Sequence, residues 1–310
     1  MNSAPGAHRW AAALAKRALR RSHPCPPAPL PDHAWQELLS ELAADGLEGL
    51  LISAVADGDF PSTAGQRETL AEREVQLVLH DQALCALTSV ISRDLCTAGI
   101  DHRLLKGVAV GRLDYPDPLW RPAGDIDMLV TPGDYRAAAA VLDRLGGRVP
   151  PLAANAKSVA MGTGAVEADL HRRIVAGPVG HLAALGWFDG RRDVELDGTP
   201  VPALDREHAF LHACLNAVSN EWSLRARPLL DVAVLLQPPL DIAAVRKIAS
   251  AWGVSGVIVE ALEATHLRYG IDVAPLVSSL AHIEAPRVAR ICCRLDRQDH
   301  RSYSVRLLTE

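Results

Sequence analysis

From Trp35 to about Ala98, apolar side chains recur at helical spacing, first as Leu38, Leu39 and Leu42 and later as Leu77, Leu84, Leu87 and Ile91. Residues three and four apart share one helix face, so this stretch predicts a helical N-terminal region. The pattern shortens to a strand-like segment at Ile100 to Leu105, and Gly107 follows where a tight turn into a helix needs a residue without Cβ. Asp125 to Val130 opens with acid and apolar residues alternating with period two, which reads as a strand. Thr131-Pro132-Gly133-Asp134 then resembles a helix start and predicts a helix from Pro132 to about Leu145. Further strands are expected at Lys157 to Met161 and Ala165 to His171, and Asp197-Gly198 predicts a hairpin turn between Val194-Glu195-Leu196 and Val201. Past Ala203 the stripes are helical again, at Phe210, Leu211 and Leu215, then Leu229 to Leu236, then Ile248 to Leu262.

The pattern therefore predicts an α+β chain with a helical N-terminal region over residues 1–98, a small mixed-sheet α/β core over 99–203 and a C-terminal helical subdomain over 204–310. With 49% apolar residues in 310, the chain can bury a large core. The first 31 residues contain no acid and carry Arg9, Lys16, Arg17, Arg20 and Arg21 on an Ala-rich stretch. Such a stretch can mimic a targeting peptide, but the preferred reading is a surface helix ended by the proline-rich segment from Pro24 to Pro31. No apolar run escapes interruption by charged or turn residues for the roughly 20 positions a bilayer crossing needs, so no membrane association is expected. Cysteines at 25, 85, 96, 214, 292 and 293 show no C-x-x-C spacing, which points to reduced thiols in the cytoplasm.

The chemistry concentrates in Leu104-Leu105-Lys106-Gly107 and Gly124-Asp125-Ile126-Asp127-Met128-Leu129-Val130. On a strand, positions i and i+2 project to the same face, which sets the Asp125 and Asp127 carboxylates side by side. Like charges at that spacing call for a cation, and Mg²⁺, or Mn²⁺ in its place, takes hard oxygen ligands and completes its shell with water and phosphate oxygens. Removing either charge is then expected to relieve carboxylate repulsion without harm to the fold. A third carboxylate on a neighbouring strand would let two ions be clamped, one at the attacking oxygen and one at the triphosphate. Glu167 and Asp169 are the candidates, on one face of their strand, with Asp169 preferred.

These residues resemble the pattern of the polymerase β nucleotidyltransferase superfamily: an apolar-Gly turn, a D-x-D strand and a later acid flanked by apolar residues. More closely, Leu105-Lys106-Gly107, Arg121-Pro122-Ala123-Gly124-Asp125-Ile126-Asp127 and Asp169-Leu170-His171 look like a family of poorly characterised bacterial nucleotidyltransferases, over roughly residues 35 to 270. The resemblance implies a nucleotidyltransferase sheet flanked by helical regions, with Asp125, Asp127 and Asp169 as metal-binding catalytic acids. It also implies transfer of a nucleoside monophosphate from an NTP, with ATP the expected donor and pyrophosphate the product. Val108 stands where many superfamily members place Ser, and the gap from Gly107 to Asp125 is long, which predicts an inserted loop from Asp114 to Trp120.

Lys106 and Arg121 fit phosphate, the first as a point charge and the second as a planar fork, unless they sit on a solvated face or pair structurally with nearby aspartates. The backbone N–H groups of a Gly107 turn fit phosphate too. His171 shares the strand face of Asp169, as an orienting group, a proton carrier, a phosphate contact or a plain sheet histidine. His208 and His212 have the i, i+4 spacing of a metal pair but no evident third ligand. Arg225, Arg227 and Asp231 surround Pro228 at a helix start, placed either to close a nucleotide cleft or to form a salt bridge. The formal charge of −5 points to a protein, peptide or small molecule as acceptor rather than nucleic acid. A non-catalytic nucleotide-binding or regulatory partner is the alternative, and a phosphotransferase the weaker one, since no Walker A loop or kinase motif set is present.

Overall fold

The computed structural model of the chain describes residues 7–22, 24–146, 158–162, 166–174, 186–218, 225–237 and 240–281. Sequence expectations that touch Lys157, Ala165, Cys292, Cys293 or the C-terminal stretch after 281 lie outside these residues. The N-terminal helices are α1 (Ala7–Ala18), α2 (Asp32–Asp45), α3 (Glu48–Ala56) and α4 (Ala64–Thr97), followed by β1 (His102–Leu104) and α5 (Lys106–Leu113). Next come β2 (Asp125–Val130), α6 (Tyr135–Arg144), β3 (Ser158–Gly162), β4 (Glu167–His171), β5 (Arg192–Leu196) and β6 (Thr199–Ala203). The described C-terminal helices are α7 (Arg206–Val218), α8 (Ala226–Leu236), α9 (Ile242–Trp252), α10 (Ser255–Tyr269) and α11 (Ala274–Ala281).

Among the described residues the strands form one mixed sheet in the order β3-β4-β2-β1-β6-β5. The catalytic candidate strand β2 sits inside it, antiparallel to β1 and parallel to β4. Alternation then decides which side each residue serves. Ile126, Met128 and Val130 of β2 and Ala168 and Leu170 of β4 join Leu84, Ile91 and Leu95 of α4 and Val141 and Leu142 of α6 in one apolar cluster. The intervening residues must face the other way, so the acids at 125, 127, 167 and 169 share the side away from α4 and α6. A second cluster joins α1, α2 and α3 to the C-terminal helices, with Leu14, Trp35 and Leu50 packed in the same core as Leu230, Ile258 and Leu262.

Local chemistry accounts for the boundaries. Thr63 opens α4 with a capping box, its hydroxyl accepting from the Gln66 N–H while the Gln66 side chain accepts from the Thr63 N–H. The helix foreseen from Pro132 starts at Tyr135, because Thr131 accepts from the Asp134 N–H and holds Pro132 and Gly133 in a turn. Asp197 and Gly198 both take positive φ, as the tight β5–β6 hairpin requires. The single stripe read from Ile248 to Leu262 is two helices, because Gly253 at φ 68° ends α9. The stretch read as an inserted loop from Asp114 to Trp120 carries a short 3₁₀ turn at Pro118–Trp120.

The basic N-terminal stretch is a helix, but one side of it is core: Trp10, Leu14, Ala18 and Leu19 are buried. Its Arg17 pairs with Asp57 and Asp59, and Arg21 donates at the end of α10 to the carbonyls of Tyr269 and of the capping Gly270, each at 3.1 Å. By length and composition α4 alone among the described helices is long and apolar enough to cross a bilayer, which interrupted runs in the sequence did not foreshadow. Its buried residues Leu84, Ile91 and Leu95 instead pack on the sheet.

Candidate active site

Parallel pairing of β2 with β4 sets Asp125 opposite Glu167 and Asp127 opposite Asp169, a two-by-two array of acids on one sheet face. Asp127 is its most enclosed member, only 1% exposed. One of its oxygens, Oδ1, accepts from His171 Nε2 at 2.8 Å and lies 3.1 Å from the Lys106 ammonium. The other, Oδ2, is buried with no hydrogen-bond partner. Burial alone would raise the Asp127 pKa, but the His171 bond and the Lys106 charge hold the carboxyl well below the usual carboxylate range. Asp125 shifts the other way, pushed up by burial and by the neighbouring Asp127 charge against the pull of Lys106. Burial works against the Lys106 charge, yet Asp127 and Asp125 together raise its pKa.

His171 Nε2 also lies 3.7 Å from Asp169 Oδ2. One ligand atom each from Asp127, Asp169 and His171 falls within 4.8 Å of the others, and among the described residues this is the one such group able to hold a metal ion. An orphaned carboxylate oxygen at the centre of an acidic, solvent-reaching cluster fits a divalent cation, which supplies the missing partner.

Gly107 sits at φ 34°, ψ −115°, a conformation other residues rarely adopt. A Cβ there would lie 3.4 Å from both the Ala123 side chain and the Asp125 carbonyl oxygen. The turn therefore needs glycine for its dihedral, and packs closely on the start of β2. The strand entry is steadied from the far side by His80 of α4, whose Nε2 bonds the Ala123 carbonyl at 3.1 Å. Nothing in the sequence marked His80 except its place in a helical stretch.

A cleft of ≈ 320 Å³ opens over this face, with Lys106, Gly107, Asp125 and Glu167 on one side and Arg225 and Arg227 on the other. Arg121 borders it but is committed elsewhere. It is 5% exposed, and its Nε and Nη2 donate to Asp231 Oδ1 and Oδ2 at 3.0 and 2.7 Å. The Tyr115 hydroxyl donates to the same carboxylate at 2.9 Å. Of the sequence readings of Arg121, the structural pairing is the one present, although its aspartate comes from α8 rather than from β2. Asp231 thus forms a salt bridge, while Arg227 remains on the cleft wall.

The histidine pair at 208 and 212 belongs to a different environment. His208 Nδ1 bonds Asp205 at 2.7 Å, and both rings pack against Trp187, which stacks on Trp252 at 4.3 Å. They form no metal-holding group among the described residues.

A D-x-D strand beside a second acidic strand, with a glycine turn at its start, fits the nucleotidyltransferase class, and the family match places the chain there. The family model described as "uncharacterised nucleotidyltransferase" matches residues 31–270, and the chain belongs to that family. No curated protein matches the sequence. Solved structures similar to it include the solution structure of the antibiotic-resistance factor ANT(2'')-Ia, at 15% identity and TM-score 0.38 over 72% of this chain and 100% of that one. An antigenic nucleotidyltransferase-like protein from Paracoccidioides brasiliensis is 14% identical, at TM-score 0.41 over 66% of this chain and 95% of the other. ANT(2'')-Ia in complex with adenylyl-2''-tobramycin is 18% identical, at TM-score 0.34 over 60% and 98%.

Proposed function

We propose that the enzyme moves a nucleoside monophosphate from an NTP, with ATP the candidate donor, to a protein, peptide or small-molecule acceptor. The reaction depends on Mg²⁺ or Mn²⁺ and releases pyrophosphate. The register of β2 on β4 carries this reading, since it brings Asp127 beside Asp169 and Asp125 beside Glu167. A bound metal supplies charge neutralisation at the phosphates and a more acidic acceptor hydroxyl. Asp127 and Asp169 would hold it, with Asp125 on the same sheet face as the expected third acid, and an Asp169 oxygen would take the acceptor's proton. His171 occupies Asp127 Oδ1 and so leaves Oδ2 for the ion. Lys106, with its side chain 30% exposed, and the Gly107 backbone N–H at the start of α5 meet the triphosphate. No covalent intermediate is needed, because positioning and fixed charge lower the barrier.

The formal charge of −5 supports an acceptor other than a long nucleic-acid backbone. The thiols of Cys85, Cys96 and Cys214, free of disulfides, suit a cytoplasmic setting. The test offers α- and γ-labelled ATP in parallel to peptides, cell extract and total tRNA. The α label should appear in the acceptor, γ label should leave as pyrophosphate, and chelator should stop both. Terminal label in the product would make the enzyme a phosphotransferase. Strong α labelling of tRNA that fades at moderate salt would move the acceptor to nucleic acid.

A further inference from the structure

The basic wall of the cleft is assembled from distant parts of the chain, and its members differ in what already neutralises them. Arg121 is saturated by Asp231. Arg225 lies 3.4 Å from Asp45, and Lys106 lies 3.1 Å from Asp127. Arg227 is the exception: among the described residues no carboxylate is within ion-pair distance of its guanidinium. Its one hydrogen bond there is a long one, 3.4 Å from Nη1 to the Pro122 carbonyl oxygen. Burial and the nearby Arg121 charge lower its pKa, against the opposing pull of Asp231, Tyr115 and Asp125.

With a single long hydrogen bond among the described residues, the half-buried guanidinium keeps donors that an anion in the cleft can use. Gly46 ends α2 at φ 61°, and a Cβ on it would lie 2.5 Å from Arg227 Nη1. The glycine thus closes α2 and also leaves room for the guanidinium of α8, which lines the cleft together with Lys106 and Gly107.

We infer that Arg227 is the ligand for the β- and γ-phosphates of the NTP, and for the pyrophosphate that leaves. The inference rests on the nucleotidyl-transfer reading above. In that reaction the acceptor oxygen bonds the α-phosphorus while the bond from that phosphorus to the α,β-bridging oxygen breaks. The electron pair of the broken bond goes to pyrophosphate, whose charge grows where Arg227 offers a planar, permanently charged fork. Arg227 therefore touches substrate, and Gly46 positions it.

The experiment measures binding of ATP, AMP and inorganic pyrophosphate, each with Mg²⁺, to the full chain by calorimetry. Arg227→Ala should weaken ATP and pyrophosphate by about 10- to 100-fold, the loss expected for a charge-assisted contact, while AMP affinity changes little. Arg227→Lys should fall between, because it keeps the charge and loses the fork. Gly46→Ala should shift pyrophosphate affinity in the same direction as Arg227→Ala. The unfolding midpoint of Arg227→Ala without nucleotide should not drop, since no ion pair is lost; if that variant fails to fold, Arg227→Lys and Gly46→Ala carry the comparison. Pyrophosphate binding at wild-type strength in the variants overturns the inference, and so does an equal loss for AMP and ATP. A wild-type protein that binds neither ATP nor pyrophosphate would sink the nucleotidyl-transfer reading itself.

Discussion

Burial and the Asp127 charge raise the pKa of Asp125, whereas His171 and Lys106 depress that of Asp127, so the two acids of one motif have opposite effects on the stability of the metal-free protein. A group with a raised folded pKa stabilises below its unfolded value, about 3.9, and that contribution is lost as pH rises through the folded value. Asp125→Asn should therefore make the chelator-treated protein more stable at neutral pH, with the gap closing in acid. A depressed folded pKa acts the other way, giving stability above about 3.9 that is lost as pH falls through the folded value. Asp127→Asn should cost about 1–3 kcal/mol at neutral pH, because it leaves the Lys106 and His171 donors facing a weaker partner. The sequence expectation that both substitutions simply relieve repulsion thus applies to Asp125 and is reversed for Asp127. Both variants should lose turnover. Urea unfolding across pH checks the stabilities, and near-normal activity in either variant would remove that residue from the catalytic set.

The choice of third acid is made at the scale of the strand. Alternation gives Glu167 and Asp169 the same face, so sequence alone ranks them by flanking residues only. Pairing of β4 with β2 separates them: Asp169 falls beside the buried Asp127 and within reach of His171, while Glu167 lies at the exposed end beside Asp125. Asp169→Asn should lower kcat by several orders of magnitude, and Glu167→Gln should act mainly on KM. The reverse ranking in steady-state kinetics would hand the metal to Glu167. A register slip of one residue would turn every acid into the apolar cluster beneath, which is why Ile126, Met128 and Leu170 protect the site as firmly as the acids define it.

The Arg121–Asp231 pair belongs to the whole molecule, since it ties the segment before β2 to α8 across 110 residues of sequence. Arg121→Ala would leave Asp231 buried and uncompensated, a loss of about 3–5 kcal/mol for breaking a buried pair from one side. Asp231→Ala should cost a similar amount, and the double variant less than the sum. A double-mutant cycle by chemical unfolding tests this. An Arg121→Ala protein of unchanged stability but weakened ATP binding would restore Arg121 as a phosphate ligand.

The sequence by itself determined what depends on neighbours along the chain. Period-two alternation placed the D-x-D strand, helical stripes placed α2, α4, α7 and α8, and Asp197-Gly198 announced its hairpin, because backbone geometry fixes which nearby side chains share a face. It also identified Gly107, whose turn is a local demand of the backbone. Local pattern could not decide partners brought together from far apart. Arg121 and Arg227 look alike in sequence, each an arginine followed directly by a proline. Folding gives Asp231 to one and leaves the other over Gly46, facing the cleft. The physical reason is that a charge acts through the groups within a few ångströms of it, and across β2, α2 and α8 only tertiary packing sets those distances.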